Sequence, residues 1–294
     1  MKENNRDITA DDRPLTAAGE TGAAEAGDPA VQQPKKRTSP AVIVVLVLII
    51  VACLTGAGFG IASLLQTNEQ IQDAKNEENL VPATPDDLSA SAAKELVDNP
   101  IDFAELQAQN PEIYAWIYIP NTKVNHAVVC RNGDNAFYLD HDANGDESAA
   151  GAIFSEDYNT TDLQDAVTLI YGHNMADDLM FGSLHYFEDQ AFFDENDLFY
   201  IYAPGHIYTY RIVSAFTTDD QHVLYRYGYF QTFEKLREFE QEILNPHSIQ
   251  QNVREANLDD SSKIVVLSTC NSGALEDTAR YLVCGVMIDD TATR

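Results

Sequence analysis

Cys270 and Arg280 are the residues of this chain whose types and spacing first invite chemistry. Cys270 closes the run Lys263 to Cys270, Lys-Ile-Val-Val-Leu-Ser-Thr-Cys. Arg280 opens the run to Ile288, Arg-Tyr-Leu-Val-Cys-Gly-Val-Met-Ile. Both runs are β-branched, apolar and of strand length, the pattern of strands buried on both faces. Asn271 to Ala279, which separates them, carries Asn, Ser, Gly and Asp and reads as a loop. A hairpin of this kind sets the thiol at the end of one strand beside the guanidinium at the start of the next. A third group stands upstream. Val167 to Met175, Val-Thr-Leu-Ile-Tyr-Gly-His-Asn-Met, is an apolar strand that breaks at Gly172 and presents His173.

These three groups suit acyl transfer. A thiol with an ordinary pKa of about 8.5 is only a few per cent thiolate at neutral pH. A neighbouring imidazole can take its proton, and a guanidinium lowers the cost of the anion. The same guanidinium can hold substrate or stabilise the oxyanion of a tetrahedral intermediate. The imidazole can then return its proton to a leaving amine. The sequence therefore predicts reaction through a thioester on Cys270.

Leu267-Ser268-Thr269-Cys270 followed by Arg280, with Tyr171-Gly172-His173-Asn174-Met175 upstream, resembles the sortases, and class B in particular. The resemblance runs from about Asp102 to the C-terminus. It includes Asn110-Pro111-Glu112-Ile113, Ala115-Trp116-Ile117-Tyr118-Ile119-Pro120, the Val128-Val129 strand and Asp134-Asn135 with Tyr138-Leu139. Gly151-Ala152-Ile153-Phe154 and Met180-Phe181 complete it. The resemblance implies a membrane-anchored cysteine transpeptidase without a cofactor. Such an enzyme cleaves a C-terminal sorting signal of secreted proteins and joins the product to an amine of the cell wall or of a pilin. It casts Cys270, His173 and Arg280 as catalytic, with Ser268, Thr269 and Asn174 on the substrate side. It also implies a mainly β fold: a closed β-barrel with short N-terminal helices and a helical insert before the Cys strand, preceded by one transmembrane helix. Two other readings of the same residues stay open, an extracytoplasmic cysteine peptidase that uses water and an inactive envelope scaffold.

The elements that must position these residues are legible in outline. Residues 1–40 are polar, without apolar period, and are expected to be disordered. Ala41 to Leu65 then runs without a charge; as a helix it would reach about 37 Å, enough to cross a hydrocarbon core of about 30 Å. Lys35-Lys36-Arg37 precede it, so the positive-inside rule puts the N-terminus in the cytoplasm and the bulk of the chain outside. The competing reading, a cleaved signal peptide, expects a shorter apolar run nearer Met1. Residues 66–100 read as an acidic linker, and residues 101–294 as the catalytic domain. Asp102 is placed to cap a helix at Phe103–Gln109.

The domain then turns to β patterning. Strands are expected at 115–119, 124–130, 136–140, 152–155, 167–171, 198–203, 206–217, 263–269 and 280–288, with helices at 180–187 and 230–244. Many short strands with turn signals between them suggest a closed barrel or a sandwich. The formal net charge of −29 argues against binding nucleic acid through its phosphates. Four cysteines make no disulfide framework; Cys130 and Cys284 read as small buried residues. The histidines have no metal spacing with them. Asp142, Asn144 and Asp146 alternate like calcium ligands, but Glu147 and Ile153 break the EF-hand pattern, and no metal is expected.

Overall fold

The computed structural model describes residues 82–85, 96–271 and 278–294. The expected tail, the expected span at 41–65, most of the linker and most of the loop expected after Cys270 lie outside the described residues. Among the described residues, no helix is long and apolar enough to cross a membrane.

Eight strands close into a ring. They are β1 (Ile113–Tyr118), β2 (Asn125–Cys130), β3 (Ile153–Ser155), β4 (Val167–Tyr171), β5 (Leu198–Ala203), β6 (His206–Asp219), β8 (Ile264–Cys270) and β9 (Ala279–Ala292). Their order is β5-β1-β2-β3-β4-β8-β9-β6, and β6 pairs back with β5 to complete the barrel. A short β7 (Gln251–Val253) hangs on β6. The β2–β3 and β4–β8 pairs are parallel; the other ring pairs are antiparallel.

Strand alternation sorts side chains into two cores. Inward residues from every ring strand, among them Ile117, Val128, Ile153, Ile170, Ile201, Tyr210, Leu267 and Val283, fill the barrel. Outward residues of β4, β8, β9 and β6, among them Leu169, Val266, Cys284 and Phe216, form a second layer. This layer is covered by α3 (Val223–Arg226) and α4 (Phe233–Leu244). In α4 the spacing of Leu236, Phe239 and Ile243 lays one apolar stripe on the sheet, and Thr232 caps its first turn by accepting from Lys235 N at 3.3 Å. Both faces of β8 are thus covered, which is why Ile264 to Leu267 is a continuous apolar run. On the far side of the barrel, α1 (Phe103–Gln109) is capped by Asp102 and packs Phe103 with Ile113, Trp116 and Tyr202.

Three expectations need correction. Residues 136–140 are not a strand; Phe137–Leu139 is a single 3-10 turn. Its apolar run anchors a loop, because Tyr138 is buried and hydrogen-bonded to Asn110 at 2.8 Å and Glu112 at 2.5 Å. The helix at 180–187 is a 3-10 segment, Gly182–Glu188, followed by an unforeseen α2 (Gln190–Glu195) that Asp189 caps. The helix at 230–244 begins only at Phe233, because Tyr229 and Phe230 adopt left-handed φ of 55° and 53°. The polar strand β7 was also not foreseen.

Candidate active site

The β8–β9 register pairs Cys270 directly with Arg280, so both project from one face of the hairpin. The β9–β6 register adds Thr218 opposite Arg280. By alternation from Val266 and Ser268, this face is the outer one, the face that α3 and α4 cover further along the strands. At the strand ends the cover stops and leaves a cavity of about 260 Å³, whose wall includes Cys270, Arg280, His173 and Leu139.

His173 reaches this cavity through the parallel β4–β8 pair. Tyr171 is the register partner of Ser268, and Gly172 N donates to the Ser268 carbonyl at 3.2 Å. Two positions past Tyr171, His173 comes level with Cys270. Its Nε2 lies 2.7 Å from the Leu139 carbonyl. A carbonyl oxygen only accepts, so Nε2 donates there, and Nδ1 is the nitrogen left to take a proton. Gly151 makes this brace possible. Its φ is +61°, and a Cβ there would sit 2.7 Å from the Tyr138 carbonyl and 3.0 Å from His173 Cδ2.

Cys270 is half-buried, and its backbone is held from behind. Asn174 Nδ2 donates to the Cys270 carbonyl at 3.1 Å, and His185 Nε2 lies 3.1 Å from the same oxygen. His185 stacks on Tyr281 with ring centroids 4.7 Å apart, and its Nδ1 is 2.6 Å from Glu188 Oε1. Asn174 therefore contacts the nucleophile's backbone rather than standing in the cavity wall. Ser268 and Thr269 both belong to the wall. Thr269 is buried on the opposite face from Cys270, and its Oγ1 has no hydrogen-bond partner among the described residues.

The other two described thiols are shut away. Cys130 lies inside the barrel and Cys284 under the helices. Burial pushes the Cys130 thiol up and drives that of Cys284 to about 12. The alternating Asp142, Asn144 and Asp146 have a local explanation: Asp142 Oδ1 accepts from the backbone N–H of Asn144 at 2.8 Å and of Asp146 at 3.0 Å. Among the described residues, no group of His, Cys, Asp and Glu could hold a metal ion.

Sequence reasoning missed the other polar residues of this region. Glu156, Tyr171 and His222 meet at the cavity, with His222 Nε2 2.5 Å from Glu156 Oε2. Burial, then the Glu156 carboxylate, hold the Tyr171 hydroxyl far above its ordinary pKa, so it remains a phenol. These pairs lie far apart in the chain, and no local spacing announces them.

Comparison with known proteins agrees with this geometry. The family described as Sortase domain matches residues 117–288. Sortase B of Listeria monocytogenes is 26% identical over 246 residues, covering 83% of this chain and 95% of the relative. The structure of Clostridium perfringens Sortase B superposes with a TM-score of 0.57 at 28% identity, covering 64% of this chain and all of that one. A Streptococcus pyogenes class B sortase involved in pilus biogenesis gives 0.55 at 28%, covering 64% and 98%.

Proposed function

Because this chain belongs to the sortase family of cysteine transpeptidases, with class B members as its relatives, we propose that Cys270, His173 and Arg280 carry its reaction. The observation that carries the assignment is the direct register of Cys270 and Arg280 at the uncovered strand ends, with His173 oriented by Leu139 in the same cavity.

In this reading the Cys270 thiolate attacks the scissile carbonyl, and the C–O π electrons move to oxygen. The Arg280 guanidinium stabilises that oxyanion or orients the substrate. The C–N bond then breaks. The leaving amine takes the proton from His173 Nδ1 and leaves a thioester on Cys270. A second amine attacks the thioester, its surplus proton passes to His173, and the thiolate departs. Ser268 and Thr269 line the substrate side of the cavity, and Asn174 fixes the backbone from which the thiol projects.

The first substrate in this reading is a secreted protein with a C-terminal sorting signal, and the acceptor is an amine of the cell wall or of a pilin. The uncharged stretch 41–65 behind Lys35-Lys36-Arg37 supports a membrane anchor with the catalytic domain outside. The test is product analysis on a pool of C-terminal sorting-signal peptides, with and without an added primary amine. A cleaved peptide joined to the amine supports the reading. Hydrolysis alone, unchanged by the amine, would make the protein a peptidase. For the anchor, protease added to intact protoplasts should digest the chain beyond Gln66 and spare the N-terminal tail; digestion of the tail alone would reverse the orientation.

A further inference from the structure

One histidine behind Cys270 has no part in the acyl-transfer steps. The carbonyls of Ser268 and Cys270 both point toward β4, because alternate residues of a strand face the same neighbour. Ser268 meets the Gly172 N–H there at 3.2 Å. Two residues further on, β4 has already ended at Tyr171, and Asn174 bridges to Met180 instead. Side chains take the place of the missing strand: Asn174 Nδ2 and His185 Nε2 each lie 3.1 Å from the Cys270 carbonyl oxygen. These two nitrogens are 3.0 Å apart, so the carbonyl, the amide and the imidazole form one clamp.

The clamp is itself held in place. His185 belongs to the 3-10 segment Gly182–Glu188. Residue 182 must be small for this segment to approach, since a Cβ there would sit 2.8 Å from the Met175 carbonyl and 3.4 Å from Asn174 Oδ1. The His185 ring lies against Tyr281, the register partner of Thr269, with centroids 4.7 Å apart. Glu188 Oε1 stands 2.6 Å from His185 Nδ1. A carboxylate only accepts, so Nδ1 donates to it and the ring orientation is fixed. Nε2 is thereby aimed into the clamp. An uncharged ring accepts there from Asn174, and a protonated ring donates to the Cys270 carbonyl. In both forms Nε2 bonds a group that holds the nucleophile's peptide. The side chains of His185 and Glu188 are 19% and 39% exposed, and neither belongs to the wall of the Cys270 cavity.

We propose that His185, oriented by Glu188, is a positioning residue: it fixes the Cys270 peptide, and with it the thiol, in line with His173 and Arg280. Reacting groups need placement to within about 0.5 Å, which the last residue of a strand does not achieve without such support. The reaction that this placement serves rests on the transpeptidase reading; the placement of the thiol does not.

The experiment therefore reads the thiol directly. Full-length protein and variants are treated at neutral pH with a charged methanethiosulfonate reagent, which consumes the thiolate that His173 and Arg280 sustain. Mass spectrometry follows the rate at each cysteine. His185→Phe keeps a ring on Tyr281 and removes both nitrogens. His185→Gln keeps a hydrogen-bonding group and removes the ring. Labelling of Cys270 should slow by about 10–100-fold in His185→Phe, the scale of a displacement of about 1 Å. It should recover most of the native rate in His185→Gln, and slow to a lesser degree in Glu188→Ala. The sign separates positioning from packing, because a loosened fold speeds labelling of Cys270, Cys130 and Cys284 together. Native or faster labelling of Cys270 in His185→Phe, or an equal loss in His185→Gln, would overturn the proposal. Should His185→Phe not fold, the exposed position 188 decides, and unchanged Cys270 labelling in Glu188→Ala would overturn it as well. The sorting-signal peptide pool tests the other reading separately. If the labelling follows the prediction but the native protein forms no acyl-enzyme with any peptide, the transpeptidase reading fails and the positioning of the thiol stands.

Discussion

Two thiols share one face of one hairpin and meet opposite fates. Cys284 in β9 pairs with Val266 in β8, and four residues further along β8 stands Cys270. Cys284 is 0% exposed beneath the α3–α4 cover, and its thiol is pushed up to about 12. Cys270 lies past the edge of that cover, opposite a guanidinium and in a cavity it shares with an oriented imidazole. The residue type is the same, so the difference comes from where the helical insert ends. Reactivity here is set by the uncovered end of a sheet whose middle is sealed.

The comparison can be broken most sharply by labelling. A charged methanethiosulfonate reagent on the native protein should modify Cys270 and leave Cys284 and Cys130 untouched. Either buried thiol reacts only on opening, which for a fold stable by about 5–15 kcal/mol suppresses labelling by at least about 10³. Residue-resolved mass spectrometry checks this, and comparable rates at the three sites would erase the distinction.

The next largest effect is expected at Arg280. If it stabilises charge in the transition state, Arg280→Ala should lower kcat by about 10²–10³, with a smaller effect on KM. Arg280→Lys keeps the charge, loses the planar fork and should stay severely impaired. Circular dichroism should be unchanged, because the side chain is half-exposed at a strand end. A fully active Arg280→Ala would make this a structural charge.

Lifting the cover sharpens the contrast from the other side. Phe239 of α4 is 1% exposed over the outer layer. Phe239→Ala should cost about 3–5 kcal/mol in chemical denaturation and speed labelling of Cys284 more than that of Cys270. If Cys284 labelling does not change, the helices are not what shuts it away.

The smallest effect concerns the brace behind His173. Arg131 Nε donates to both Glu112 oxygens at 2.9 and 3.0 Å, and the Tyr138 hydroxyl donates to the same carboxylate. Burial raises the Glu112 pKa, but the bonds from Arg131 and Tyr138 outweigh it and leave the carboxyl below its ordinary 4.5. A depressed acid contributes stability that is present above its unfolded value and is lost as pH falls through the folded one. Glu112→Gln should therefore cost about 1–2 kcal/mol near neutrality. Below pH 4.5 the melting temperature of the wild type should fall more steeply than that of the variant. Parallel curves would remove Glu112 from the brace.

The parts of this molecule that were legible in the sequence are those whose local pattern and tertiary role agree. Ile264 to Leu267 looked like a strand buried on both faces because it is one, and the antiparallel β8–β9 register sets Arg280 opposite Cys270 as the spacing of the two apolar runs suggests. Phe137-Tyr138-Leu139 looked like a strand because three apolar residues in a row do not reveal that Tyr138 plugs a loop against Glu112. Gln251–Val253 has no alternation to read; it is held by Asn252, whose Nδ2 donates to the Phe187 carbonyl at 2.7 Å. The pairs Glu156–His222 and His185–Cys270 join residues 66 and 85 positions apart, which only the folded barrel brings together.

The central claim is that the thiol at the open end of the hairpin carries the acyl group. Intact-mass analysis of the protein, quenched in acid during reaction with the sorting-signal peptide pool, tests it most directly. The wild type should show an adduct with the mass of an acyl peptide, mapped to Cys270 and discharged by hydroxylamine. Cys270→Ala should show none, while Cys284→Ala keeps it. An adduct that persists in Cys270→Ala would contradict the account.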